Sequence, residues 1–177
     1  MARKKLATEL RQEQILAAAL EIVSAKGLRG LNMGAVARRV GIVPSALYRH
    51  FRDKEEILDG LLGLIEERLL AHVEAARQEA ACPLTALEVL LKRHVGLIRE
   101  NAGIPQVVFS EEVYGANSQR KARVYAILTR YLGEVEDLFA EAQCAGLVDP
   151  DLAPGDLSVM FLGLVQHHHI VARLIKY

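Results

Sequence analysis

The chain has 177 residues, 51% of them apolar, with few aromatic side chains and no tryptophan. That length permits one domain or two modest ones, and no run approaches the roughly 18–20 apolar residues that span a membrane. The net charge of zero hides an asymmetry, because residues 1–54 hold 11 Lys and Arg against 4 Asp and Glu, whereas residues 55–177 hold 11 against 18. A basic N-terminal third attracts a polyanion, so this charge pattern favours nucleic acid as the partner.

Apolar residues recur at helical spacing along the chain, and no alternating strand pattern of useful length is present. The first helix is expected to end at Gly27, in a left-handed cap. The other seven predicted helices cover 33–40, 44–51, 53–79, 84–100, 104–114, 118–145 and 154–176. The sequence therefore predicts an all-α protein of eight helices.

Residues at several predicted helix ends have the chemistry that helix ends require. The side chain of Asn32 can accept a free N–H of the next helix, and Gly41 allows the positive φ of a tight turn. Pro44 fits the first turn of a helix, where its missing N–H is not needed. Asp53 and Glu56 have the spacing of a capping box and mark the start of a long helix.

Two short helices separated by Gly41, Ile42 and Val43 have the arrangement of a helix-turn-helix, whose second helix enters the major groove of DNA. On that second helix Leu47 and Phe51 are four residues apart, so they share a face and are expected to pack inward. The opposite face is then left to meet DNA. The alternative interpretation is an ordinary helical corner with a solvated basic face.

Four residues of the second helix are predicted to read bases: Pro44, Ser45, Ala46 and Arg49. Small residues near the helix N-terminus allow a close approach to base edges. Ser45 can form hydrogen bonds there, and Ala46 can contact a thymine methyl group. Arg49 can bind either guanine or a phosphate, and both roles stay open at this point.

Four other residues are predicted to contact the DNA backbone: Asn32, Tyr48, His50 and Lys54. The polar tips of Tyr48 and His50 suit phosphate oxygens. Lys54 lies in the first turn of the following helix, where its charge and the free backbone N–H groups together favour an anion.

One pattern combines the cap, the turn, the aromatic pair and the lysine of this region: Asn32-Met33-Gly34-Ala35-Val36-Ala37, Gly41-Ile42, Leu47-Tyr48-Arg49-His50-Phe51 and Lys54-Glu55. At these residues the chain resembles the TetR (tetracycline-repressor) family of bacterial regulators. It differs from the family at Gly34, where a polar residue often reaches DNA, and at Val43, where a capping residue is common. The resemblance implies a helix-turn-helix DNA-binding domain over 1–53 and a helical ligand-binding and dimerisation domain over 54–177.

The resemblance further implies a transcriptional regulator, in the first place a dimeric repressor that binds a palindromic operator in double-stranded DNA and is released by a small-molecule effector. The C-terminal part is rich in Leu, Val and Ala, so we expect a mainly apolar effector with one or two hydrogen-bonding groups. The residues predicted to line its pocket are Leu91, His94, Phe109, Tyr125, Met160, Leu164 and His168.

The last predicted helix carries an apolar stripe that continues almost to Tyr177. Its members are Leu157, Met160, Phe161, Leu164, His168, Val171 and Ile175. A helix this apolar requires partners on more than one side, so we interpret the stripe as core or as the seam of a two-fold homodimer, with pocket lining as the alternative. Such a dimer sets two recognition helices about 34–36 Å apart, in successive major grooves.

The run His167-His168-His169 raises the alternative of a metal-responsive regulator that also uses His94. Consecutive helical residues point about 100° apart, and no two histidines have the i,i+4 spacing of a ligand pair, so we predict no metal and no cofactor. The sequence has no nucleophile–base signature, so we do not expect an enzyme; a helical interaction protein is the remaining alternative. Cys82 and Cys144 have no metal or redox spacing, which suits a reduced cytoplasmic setting without a membrane.

Overall fold

The computed structural model describes residues 2–115 and 117–174, and it describes the side chains in these ranges except at 2–7, 112 and 167–174. The described chain is helical and contains no strand. Its α-helices are α1 (Ala2–Lys26), α2 (Met33–Val40), α3 (Pro44–Leu47), α4 (Lys54–Glu79), α5 (Pro83–Glu100), α6 (Ile104–Val108), α7 (Glu111–Tyr114), α8 (Ser118–Cys144) and α9 (Pro154–Leu174). The predicted all-α fold class is confirmed.

The helices form two compact units. The N-terminal unit comprises Met1–Ile65 with Asn101–Lys121, and the C-terminal unit comprises Glu66–Glu100 with Ala122–Tyr177. The long helices α4 and α8 each contribute residues to both units.

The core of the N-terminal unit is built mainly from α1, α2, α3 and α4. Apolar residues repeat every three or four positions on α1, so one face of this helix carries a continuous stripe. This stripe and the inward faces of its neighbours are buried: Ile15, Ala19, Val23, Val36, Leu47, Phe51, Ile57 and Leu61. Burying one large apolar side chain stabilises the fold by about 1.5–3 kcal/mol relative to exposing it. Helices as short as α2 and α3 depend on this packing, because isolated helices of their length are unstable in water.

In the C-terminal unit, α5, α8, α9 and the second half of α4 pack their apolar faces together. The buried residues include Leu69, Val73, Leu87, Leu90, Leu97, Val124, Ile127, Val135, Leu138, Phe161 and Val165. Arg130 on α8 pairs with Glu66 on α4, and eleven residues further along both helices Glu141 pairs with Arg77. The two helices therefore run parallel within this unit.

The helix predicted over 44–51 is shorter than expected, because it ends at Leu47. Its last residues continue as a hydrogen-bonded turn, in which the N–H of Phe51 donates to the carbonyl of Leu47 at 3.1 Å. Asp53 follows two residues later, and its side chain accepts the N–H of Glu56 at 2.8 Å. Because Asp53 caps the start of α4, the chain enters a new helix here and α3 does not continue.

Two other helix ends also differ from the prediction. The helix predicted over 104–114 is two helices, α6 and α7, because the carbonyl of Ser110 accepts the N–H of Val113 and starts a new turn. Gly27 has the expected positive φ of 68°, but its ψ of 179° lies outside the left-handed helical region. The prediction of a left-handed cap at Gly27 is therefore wrong. The reason is a 3-10 turn over Leu28–Gly30, for which Gly27 supplies the first carbonyl acceptor.

Candidate nucleic-acid interface and effector site

Helix α2 begins and ends as its sequence predicts. The Oδ1 atom of Asn32 accepts the N–H of Ala35 at 2.9 Å. Gly41 has a φ of 78°, and the N–H groups of Gly41 and Ile42 both reach the carbonyl of Ala37 at 3.0 Å. These bonds satisfy the free carbonyl at the helix end and reverse the chain. The predicted cap and turn are confirmed, and together they set the direction in which α3 leaves α2.

The recognition segment, residues 44–51, has one buried face and one solvent face. Leu47 is fully buried and Phe51 is 5% exposed, so the expected inward packing is confirmed. The solvent face holds the residues predicted to read bases: Pro44, Ser45, Ala46 and Arg49. Ala46 is half-buried and the other three are exposed. Their contact with bases stays a prediction.

Three of the residues predicted to contact phosphates differ in how they use their polar atoms. Tyr48 is 53% exposed. Asn32 caps α2 with its oxygen and donates from Nδ2 to the carbonyl of Gly30 at 3.3 Å. Lys54 is half-buried, and its Nζ donates to the carbonyl of Leu28 at 3.1 Å. Asn32 and Lys54 therefore also stabilise the domain from within, in addition to any contact with DNA.

His50, the fourth of these residues, is half-buried at the end of the recognition segment. Its Nδ1 atom is enclosed, and no described atom of the chain forms a hydrogen bond with it. A buried N–H without an acceptor is unfavourable, so this site favours the tautomer with its proton on Nε2. That tautomer makes Nε2 a donor, which suits a phosphate oxygen.

Arg38 and Arg39, which were absent from the predicted contacts, are both exposed in the last turn of α2. The Nε of Arg39 donates to Glu21 on α1 at 2.6 Å, so part of its charge is neutralised within the unit. The first helix of a helix-turn-helix crosses the DNA backbone. Arg38 and Arg39 are therefore further candidates for phosphate contacts, and two consecutive arginines at the end of α2 were the sequence signal for them.

The C-terminal unit contains a polar pair inside its apolar core. The Nδ1 atom of His94 on α5 lies 2.7 Å from the hydroxyl oxygen of Tyr131 on α8. Burial, and to a smaller extent the charge of His72, lowers the pKa of His94 to about 4, and burial raises the pKa of Tyr131. Nδ1 of His72 on α4 is also buried, and it has no hydrogen-bond partner within the described chain. A few polar groups in apolar surroundings are the usual composition of a small-molecule site.

The structure does not bring the predicted pocket residues together. His94 lies in the core, and Leu91 on the same helix is half-buried. Tyr125, Met160 and Leu164, however, are 71%, 66% and 61% exposed. Side chains this exposed do not enclose a ligand within one chain. The faces of α8 and α9 that pack into the core are not the faces that carry these three residues.

Two further pocket predictions fall elsewhere. Phe109 is 43% exposed and belongs to the N-terminal unit, and His168 lies outside the described side chains. Tyr131 and His72 are not among the residues predicted to line the effector pocket. A tyrosine within an apolar helical stripe was the available signal, because its hydroxyl requires a partner when buried.

A metal centre is not formed by the side chains that the structure describes, since no three His, Cys, Asp or Glu residues among them lie close enough to share an ion. The predicted alternative used His94, whose Nδ1 is hydrogen-bonded to Tyr131. Its other members, 167–169, lie outside the described side chains. Within the described chain, no helix combines the length and the apolar character needed to cross a membrane.

Comparison with known sequences connects this geometry to characterised proteins. A sequence model of the family described as "Bacterial regulatory proteins, tetR family" matches residues 15–61. Nucleoid occlusion factor SlmA from Marinomonas sp. (strain MWYL1) is 22% identical over 156 residues, which cover 88% of this chain and 79% of that protein.

Solved structures share the fold over most of the chain. The transcriptional regulator FadR from Bacillus subtilis, in complex with stearoyl-CoA, matches with a TM-score of 0.73 and 21% identity, covering 93% of this chain and 89% of that one. AibR in complex with isovaleryl coenzyme A and operator DNA matches with a TM-score of 0.67 and 24% identity, covering 88% and 83%. The capped helix, the glycine turn and the recognition segment all lie within the residues that the family model matches, so the chain carries the DNA-binding domain of the TetR family of bacterial regulators.

Proposed function

We propose that this protein is a repressor whose affinity for a palindromic operator is lowered by a small, mainly apolar effector. The recognition segment carries the proposal, because Leu47 and Phe51 fix it to the core while Ser45 and Arg49 meet solvent. A helix anchored on one face and exposed on the other can enter the major groove without losing its own packing. In this proposal residues 1–53 bind DNA, and 54–177 bind the effector and dimerise.

A second copy of the chain is proposed to cover the exposed face of α9. Val159, Met160 and Leu164 are 59%, 66% and 61% exposed, although all three are large and apolar. They lie on one side of the helix, and a Cβ placed on Gly163 between them meets nothing within 4 Å. An isologous pairing removes this apolar surface from water in both copies at once. It also supplies the two recognition segments that a palindromic operator requires.

We propose an acyl thioester as the effector class. FadR from Bacillus subtilis was solved with stearoyl-CoA, and AibR with isovaleryl coenzyme A. The apolar core of the C-terminal unit suits an acyl chain, and the ring N–H groups of His72 and His94 can donate hydrogen bonds to a thioester carbonyl. A ligand that binds better to a dimer conformation with a different spacing of the two recognition segments increases the population of that conformation. Because this spacing does not fit the operator, the affinity for the operator falls.

Selection of bound sequences from a random DNA library tests the operator proposal. We expect enrichment of an inverted repeat whose half-sites lie about one helical turn apart, and an affinity that falls linearly with salt on logarithmic axes. Selection of no sequence, or of single half-sites by a monomer, contradicts the proposal.

Release of the selected DNA then tests the effector class. Stearoyl-CoA and isovaleryl-CoA serve as probes, with free coenzyme A as the matched control that lacks the acyl chain. Release by an acyl-CoA but not by coenzyme A supports the proposal. Release by neither acyl-CoA contradicts the thioester class and leaves the operator result unaffected.

A further inference from the structure

Arg120 is a buried arginine in the first turn of α8, and it joins three helices of the N-terminal unit. Its side chain is 2% exposed. Its Nε donates to Oδ1 of Asp59 on α4 at 2.8 Å, and its Nη1 donates to Oε2 of Glu55 at 2.7 Å. Nη1 also donates to the carbonyl of Val113 on α7 at 3.0 Å. We call these contacts the Arg120 clasp; they tie α7 and α8 to the first two turns of α4.

The backbone around Arg120 is held in place by its own hydrogen bonds. The Oδ1 atom of Asn117 accepts the N–H of Arg120 at 2.9 Å and so caps α8. The N–H of Asn117 donates to the carbonyl of Tyr114 at 3.1 Å, which joins the end of α7 to the start of α8. A long side chain on a fixed backbone loses less conformational entropy when it is ordered. These backbone hydrogen bonds therefore lower the entropic cost of forming the clasp.

The α4 end of the clasp lies next to the recognition segment. Three consecutive residues begin α4: Asp53 caps the helix, Lys54 donates to the carbonyl of Leu28, and Glu55 binds Arg120. The recognition segment ends only two residues before Asp53. The direction of the first turn of α4 therefore bears directly on the end of the recognition segment.

Net stability alone does not explain the clasp. An ion pair inside a protein often stabilises it no more than apolar side chains of the same volume, because the charges lose their hydration. The side chains of Glu55 and Asp59 are 60% and 47% exposed, so water also weakens their attraction to the guanidinium. The planar guanidinium does, however, direct its N–H groups along fixed vectors, and it thereby fixes the angle between the helices that it joins.

We propose that Arg120 is a positioning residue for DNA recognition. Through Glu55 and Asp59 it holds the first turns of α4, and with them the recognition segment, in the orientation that fits the major groove. Operator binding and the order of the α7–α8 junction are then thermodynamically linked, and such linkage is reciprocal. The proposal rests on the operator binding proposed above and on no property of an effector.

Binding of two DNA probes by matched variants tests the proposal. One probe is the sequence that the wild-type protein selects from a random library, and the other is a scrambled duplex of the same length. Arg120→Met removes the clasp, and Asp59→Asn weakens it from the α4 side. Each is expected to weaken binding of the selected DNA on the order of tenfold and to leave the scrambled DNA within about twofold, because a misoriented segment still meets phosphates.

Arg130→Met is the control variant. Arg130 pairs with Glu66 at 3.4 Å, so this change also removes an arginine of α8 that binds α4, but within the C-terminal unit. Its affinity for both probes is expected to match the wild-type protein. Arg120→Lys keeps the charge but not the planar donor fork, so it is expected to resemble Arg120→Met.

Amide hydrogen exchange gives a readout of position that is independent of affinity. In the free protein, Arg120→Met is expected to speed exchange at His50 and Phe51 severalfold, and Arg130→Met is expected to leave it unchanged. In the wild-type protein, bound DNA is expected to slow exchange at Arg120 and Lys121, although a helix-turn-helix does not bring this turn to DNA. This second effect should be smaller in Asp59→Asn.

Several results would overturn the proposal. If Arg120→Met fails to fold, Asp59→Asn decides, because that carboxylate is half exposed and the variant is expected to fold. Selected-DNA affinity within about twofold of wild type, together with unchanged exchange at 48–51, shows that the clasp does not position the segment. Equal losses on both probes, with faster exchange throughout the unit, show a general stabilising role instead. A wild-type protein that selects no sequence contradicts the operator proposal, and exchange in the free variants still decides the role of Arg120.

Discussion

The Nδ1 atom of His94 lies 2.7 Å from the hydroxyl oxygen of Tyr131, and the two rings meet edge to face at 88°. His94 is 5% exposed and Tyr131 is 1% exposed. The contact joins α5 to α8 in an otherwise apolar core, where each side chain satisfies a polar atom of the other. Because the pKa of His94 is about 4, the ring is neutral near pH 7 and its Nδ1 can accept a hydrogen bond donated by the Tyr131 hydroxyl.

Removal of the Tyr131 hydroxyl is expected to destabilise the protein. Tyr131→Phe keeps the ring but leaves Nδ1 of His94 buried without its partner, which lowers the free energy of unfolding by about 1–3 kcal/mol. Tyr125→Phe is the control, because Tyr125 is 71% exposed and its hydroxyl can bond to water. Urea denaturation measures both variants. Wild-type stability in Tyr131→Phe contradicts a structural role for this hydrogen bond.

Acidification is expected to destabilise the fold through His94. The pKa of His94 is about 4 in the folded protein against an ordinary value of 6.5, so between these values the unfolded chain binds the extra proton. The contribution of the neutral ring is complete above pH 6.5 and is lost as the pH falls towards 4, a difference of about 3 kcal/mol. Burial shifts the pKa of His72 in the same direction.

The measurement for this pH dependence is the free energy of unfolding between about pH 7.5 and about pH 4.5, in the wild-type protein and in His94→Gln. The variant lacks the titrating ring, so its stability should fall less steeply over this range. Parallel curves for the two proteins would show that His94 does not carry the effect.

Arg49→Ala is expected to relax the preference of the protein for particular base pairs. Arg49 is exposed on the solvent face of the recognition segment, and a bidentate contact to guanine is worth about 1–3 kcal/mol of discrimination. Fluorescence anisotropy with the selected operator and with single-base variants of it measures the loss. Arg99→Ala, which removes an exposed charge from α5, controls for the change in net charge. An equal loss on operator and random DNA identifies Arg49 as a phosphate contact instead.

Leu164→Arg is expected to convert the proposed dimer to a monomer and to weaken operator binding. Leu164 is 61% exposed in one chain, so the arginine is tolerated there, but at a seam with a second copy it would be buried without a partner. Leu84→Arg, at a leucine of α5 that is 44% exposed, is the control and should leave the mass unchanged. Light scattering at micromolar concentration measures the mass. A wild-type monomer, or a Leu164→Arg dimer, rules out the α9 seam.

The helix-turn-helix could be predicted from the sequence because it depends on interactions between residues that are close together in the chain. Asn32 caps α2 three residues away, and Gly41 ends the helix through a φ of 78° that its missing Cβ allows. Leu47 and Phe51 are buried because their spacing puts them on one face of one turn. These features depend on a few adjacent residues, so the helix-turn-helix and the family could be recognised before the fold was known.

The sequence of α9 does not specify which side of the helix faces the core. Phe161 is buried, whereas Met160 and Leu164 are exposed, although all three were predicted as one stripe. When a helix is apolar on nearly every side, its hydrophobic pattern does not specify which side faces the core. That choice depends on where the other helices pack.

The polar contacts of the core were decided by the tertiary structure alone. His94 was predicted to line a pocket, but it pairs with Tyr131, 37 residues away. Arg120 belongs to no local motif, and it binds Glu55, 65 residues away. Whether two such side chains meet depends on the distance and crossing angle of the helices that carry them, and those follow from the packing of the whole core rather than from the residues on either side.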